Sequence, residues 1–174
     1  MRLATIRIAV LVVGLAVLAP LSAVAQDWGL IAKDPEAQNY QLTMDKIRKF
    51  MEVQRAYTAN EAEAAKIESD FQQLAASKTK LTLTEAAALY DRYAGVRSSL
   101  SKAGFTTKEW ILTSVAVINA MTNTMQKNNP SALAGATPAQ KANVALLETN
   151  NEEWQKIQQE LIQLGNKAAS RTKR

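Results

Sequence analysis

The chain has 174 residues, 47% of them hydrophobic and 21% charged, with a formal net charge of +5 and neither cysteine nor histidine. Those two absences remove zinc sites of His and Cys, haem attachment, Glu-x-x-His di-iron centres and every His-based catalytic triad. They also leave no disulfide, so stability has to come from a buried core, and a chain of about 150 residues suffices for one such domain.

The N-terminus reads as a secretory signal. Arg2 and Arg7 precede an apolar run over 8–19, Pro20 breaks it, and Ala23 and Ala25 place small residues at a cleavage site. A spanning helix needs roughly 20 apolar residues, so a stable membrane anchor is not expected after cleavage. The expected mature chain starts at Gln26, and its compartment is the periplasm or the exterior. No cysteine stands at the cleavage site to carry a lipid.

Residues 26–41 read as an irregular arm with Gly29 and Pro35, anchored by Trp28, Leu30 and Ile31. The helical domain is expected over 42–165. Thr43 can cap a first helix in which Met44, Ile47, Phe50, Met51 and Tyr57 recur at helical spacing. Asn60, followed by Glu61 and Glu63, either interrupts this helix or starts a second one, and Ile67, Phe71 and Leu74 keep the phase. Thr82 and Glu85 form a capping box for a helix that stops at Gly104, with Gly95 as a point of interruption. Thr106 and Glu109 form another box, with Phe105 and Trp110 placed as a hydrophobic staple.

The segment 107–126 is apolar on most sides, through Ile111, Leu112, Val115, Val117, Ile118 and Met121, so it is expected at the centre of the bundle. Asn128, Asn129 and Pro130 end it. Pro138 follows Thr137 as the first residue of a last helix, in which Val144, Leu147, Trp154, Ile157, Leu161 and Leu164 share a phase up to Gly165. Asn150 and Asn151 could divide that helix. The fold class is therefore all-α, a compact bundle of four to five helices, with a basic tail at 166–174.

Charge follows the same map. The signal takes two positive charges, the tail holds four in Lys167, Arg171, Lys173 and Arg174, and the body between is near neutral with mixed signs. No nucleic-acid partner is expected from that pattern. Carboxylates are the remaining acid–base groups, in a cluster of Glu61, Glu63, Glu68 and Asp70 and another of Glu148, Glu152 and Glu153. Nearby lysines favour a solvated, ion-paired surface over a metal site or an acid pair, so neither enzyme activity nor a cofactor or metal is expected.

Polar residues within the apolar segment, Asn119 and Thr122 above all, are candidates for a polar handle in a pocket between helices. Tyr90, Tyr93, Trp110 and Met121 are its candidate walls, and a small apolar ligand its candidate occupant. The stretches 40–49 (YQLTMDKIRK) and 103–113 (AGFTTKEWILT) resemble a group of exported bacterial helical proteins without assigned activity, and the resemblance implies export and an all-helical fold only. The expected function is a non-catalytic interaction or structural module, binding a protein partner or itself, with a small-ligand carrier as the alternative.

Overall fold

A computed structural model describes residues 31–77, 81–125 and 134–171, and every regular element among them is helical. The expected signal sequence at 1–25, the expected anchors Trp28 and Leu30, and the expected stop at Asn128 to Pro130 lie outside the described residues. Among the described residues the helices in chain order are α1 (Pro35–Gln38), α2 (Met44–Ala59), α3 (Glu61–Ala76), α4 (Leu83–Tyr90), α5 (Ala94–Ala103), α6 (Thr107–Met125), α7 (Pro138–Thr149) and α8 (Asn151–Arg171).

Their starts are written locally. Thr43, Asn60, Thr82 and Thr137 each accept a hydrogen bond from a first-turn backbone N–H, and the boxes at Thr82–Glu85 and Thr137–Gln140 are complete. Thr106 and Glu109 satisfy each other's backbone N–H groups in the same way before α6. Gly104, at φ 71°, supplies the left-handed stop after α5, and Phe105 N–H returns to the carbonyl of Leu100.

More helices are present than the periodicity predicts, because three expected helices each divide. Asn60 separates α2 from α3, and Asn150 separates α7 from α8. The third division falls at residues 91–93, ahead of Gly95. There Thr107 donates to the Asp91 carboxylate and Arg97 to the Asp91 carbonyl, fixing the corner. Gly165 does not stop α8. It is buried within the helix, which runs on to Arg171 through much of the expected tail.

The arm is also more ordered than its composition predicts. Asp34 caps α1, with Pro35 in its first turn, and Ile31 and Ala37 are buried. Distant residues hold the stretch between α1 and α2. Thr137 Oγ1 donates to Gln38 O at 2.7 Å, and Tyr40 Oη lies 3.1 Å from Thr113 Oγ1. Buried Asn143 uses both ends of its amide: Oδ1 accepts from Leu42 N at 2.8 Å and Nδ2 donates to Tyr40 O at 2.9 Å.

Helix α6 packs against α1, α2, α4, α5 and α7. Residues 110–117 are buried without a gap, as are Ala120 and Met121. The polar residues in that stretch, Thr113 and Ser114, donate their hydroxyls to the carbonyls of Glu109 and Trp110, one turn back. Helix α8 lies along α2 instead. Arg48 and Arg55, seven apart, each form a two-pronged pair with Glu153 and Glu160, also seven apart. Both pairs span 105 residues, so the two helices run parallel in one register. These pairs are largely exposed to solvent, which screens them, so they fix register more than stability.

Candidate functional site

Where α2 ends and α5 begins, four helices leave a cleft of about 70 Å³. Helix α2 supplies Val53, Ala56 and Tyr57, the junction supplies Asn60, and α3 supplies Glu63 and Ala64. Gly95, Val96 and Ser99 of α5 face them, and Trp110 of α6 forms a further wall.

The cleft exists because α5 is capped from outside. Its N-cap residue, Tyr93, provides no side-chain acceptor. Glu63 does so from α3, accepting from Val96 N at 2.9 Å and Gly95 N at 3.2 Å. A carboxylate there also meets the positive end of the helix. The approach depends on glycine, since a Cβ at 95 would stand 2.5 Å from Glu63 Oε1 and 3.0 Å from Asn60 Nδ2. About two helical turns further along α3, Asp70 accepts from Tyr93 Oη and pairs with Lys66. Those bonds hold the Asp70 carboxyl below the usual carboxylate range, the Tyr93 bond contributing most.

Beneath this polar rim the walls are aromatic. Tyr90 meets Trp110 edge to face at 5.0 Å and 84°, and Tyr57 is tilted against Trp110 at 6.5 Å. Such contacts are worth about 0.5–1.5 kcal/mol beyond the area they bury. Burial pushes the Tyr57 and Tyr90 phenols well above their usual range, so both stay protonated donors. Tyr57 donates to Ala64 O over a long 3.4 Å. Trp110 is 3% exposed, and its Nε1–H finds no acceptor among the described residues.

The residues singled out from sequence are placed unevenly. Tyr90 and Trp110 come together, and Trp110 alone of the six lines the cleft. Tyr93 is buried at the α4–α5 corner with Asp70, and Met121 is buried further along α6. Asn119 is half-buried and Thr122 exposed, because the cover over α6 thins beyond Val117 and their side of the helix turns outward. The polar groups buried in α6 are Thr113 and Ser114.

Tyr57, Asn60, Glu63 and Ser99 were not anticipated as one site. Asn60 and Glu63 did carry a signal, a cap with an acid three residues on, but the carboxylate serves another helix. Glu148 and Glu152 have Asn150 and a helix break between them, and Glu153 is taken by Arg48. Among the described residues no three acidic groups converge as a metal site needs, and no helix is long and apolar enough to cross a membrane.

Comparison with models of protein families, with curated proteins and with solved structures gives no match to this chain. Its functional reading rests on its own residues.

Proposed function

We propose that this chain is an exported, non-catalytic helical interaction module that receives a projecting group of a protein partner in the cleft beside Trp110. The observation that supports the reading is the cleft itself, open to solvent between α2, α3 and α5 and walled by Tyr57 and Trp110.

Size separates this reading from the small-ligand carrier. Pockets that enclose a whole small molecule measure roughly 300–1,000 Å³. The cleft, at about 70 Å³, suits a side chain rather than a complete apolar ligand. Glu63, Asp70, Glu153 and Glu160 are each engaged with another helix or its cap. On this proposal residues 1–25 are a cleaved signal, and the mature protein acts in the periplasm or beyond, as the resemblance to exported helical proteins implies.

Native mass spectrometry of the exported protein tests it, beside the variant Ala56→Leu, which fills the cleft from an exposed helical position. The expected result is a protein complex for the wild type, either with another chain or with a second copy, that the variant loses. A bare monomer from both proteins would overturn the proposal. A monomer retaining a small molecule would favour the carrier. The denatured mass, expected to begin at Gln26, tests export cleavage separately.

A further inference from the structure

We infer a second interface, independent of the cleft: helix α8 can leave its own α2 and dock on the α2 of a second copy of this chain, giving an exchanged dimer. The exchange turns on one residue. Asn150 separates α7 from α8 with a backbone at φ −107° and ψ 34°, against about −63° and −42° in a helix. The helical ladder otherwise enters and leaves the break, since Asn150 N donates to Leu146 O at 3.1 Å and Trp154 N to Asn150 O at 2.9 Å. Asn150 Nδ2 donates to the same Leu146 carbonyl at 2.8 Å, a local bond of the kind that competes with a regular helix. Turning the backbone of this residue joins 138–171 into one helix about 50 Å long, which carries α8 clear of its own α2.

The apolar pattern suits both forms. Leu147, Asn150, Trp154, Ile157, Leu161 and Leu164 stand three and four residues apart in strict alternation, so a straightened helix carries one stripe in which Asn150 is the polar member. In the bent form Leu147, Trp154 and Ile157 are buried, and Leu161 and Leu164 are half-buried against the same core. Straightening takes Trp154, Ile157, Leu161 and Leu164 away from that core, and an apolar stripe of this length has to be covered. A second copy fits it, because its α2 offers the surface that α8 already uses. Arg48 and Arg55 fix the register there by pairing with Glu153 and Glu160, and both pairs re-form between copies. The two arrangements then differ chiefly at the bend, where straightening gives up the α7–α8 contact and adds backbone hydrogen bonds.

Charge reversal tests it. Arg48→Glu with Arg55→Glu sets like charges across the seam in one variant, and Glu153→Arg with Glu160→Arg does so in a second. A heterodimer of the two variants restores opposite charges at both exchanged seams, which neither a monomer nor a homodimer does. The processed full chains are unfolded in urea, refolded separately and as a mixture, and followed by native mass spectrometry, with circular dichroism to check refolding. The expected result is a heterodimer several-fold in excess of the two homodimers combined. Equal amounts of heterodimer and of homodimers combined would mark some other contact between copies and overturn the inference, as would monomers alone. Asn150→Leu, which removes the local bond and completes the stripe, is expected to raise the dimer fraction of the otherwise wild-type chain several-fold. If a charge variant refolds without the helical spectrum, Asn150→Leu decides: a dimer that grows with protein concentration upholds the exchange, and monomer throughout overturns it. Ala56→Leu keeps this interface apart from the cleft, since an exchanged dimer survives that substitution and a complex formed through the cleft does not.

Discussion

Glycine at position 95 gives a prediction whose sign depends on a residue 32 positions away. In the wild type, alanine at 95 places its Cβ 2.5 Å from Glu63 Oε1 and 3.0 Å from Glu63 Cδ, so the carboxylate has to swing aside. It then gives up the N–H groups of Gly95 and Val96. Losing a side-chain cap costs about 0.5–2 kcal/mol, whereas replacing a helical glycine by alanine stabilises by about 0.5–1 kcal/mol. Gly95→Ala alone should therefore be close to neutral or destabilising by up to roughly 1.5 kcal/mol. In a Glu63→Ala background the cap is already gone, the Asn60 amide is exposed and free to yield, and the same substitution should stabilise by about 0.5–1 kcal/mol. The four proteins of this cycle can be compared by urea unfolding at pH 7, where a slope of about 2 kcal/mol/M turns these differences into midpoint shifts of about 0.2–0.8 M. A coupling below about 0.3–0.5 kcal/mol, the usual noise of independent sites, would refute the capping of α5 by Glu63.

Asn143→Ala should cost about 2–4 kcal/mol, because it strips a partner from both Leu42 N and Tyr40 O, and amide exchange at Leu42 should lose protection; a loss under about 1 kcal/mol would show that the arm is not held there. Thr106→Ala removes one half of the box that starts α6 and should cost about 1 kcal/mol in chemical unfolding, whereas no change would mean that the box is redundant. Burial holds the half-buried Glu68 carboxyl above its usual range, so the folded protein binds that proton more tightly than the unfolded chain does. The stability from this group is complete below the unfolded value near about 4.3 and is lost as pH rises through the folded value. Glu68→Gln should thus be more stable than wild type at pH 7 and lose that advantage at pH 4 and below; a constant difference in unfolding midpoint between the two would contradict this.

Where the chain carries its own instruction within three or four residues, the sequence was sufficient. Thr43, Thr82, Thr106 and Thr137 start helices as read, and the all-helical class follows from spacing and composition. What escaped depends on distance along the chain. The break at residues 91–93 falls ahead of Gly95, the expected point of interruption, and its stabilising bonds come from Thr107 and Arg97. Conversely, Gly165 looks like a stop but is buried in a continuing helix. The preserved phase across Asn150 hid a division that one residue suffices to make. Periodicity marks Asn119 and Thr122 as polar positions among apolar ones, but it does not say where along α6 the covering helices end. The cleft was the least legible part, because each lining residue looks ordinary in its own helix, and Glu63 acts through a helix it meets only after folding.

The parallel seam between α2 and α8 sets a timetable for the growing chain. Arg48 and Arg55 are made 105 residues before Glu153 and Glu160. At about 5–20 residues per second, that interval lasts roughly 5–20 s, and nothing in α2 can meet its final neighbour during it. Buried Trp154 and Ile157 arrive with that neighbour, so the core beneath α8 is the last to be made among the described residues. The contacts of α2 with α5 and α6 need only residues up to 125, so the bundle closes in two stages, with the face under α8 second.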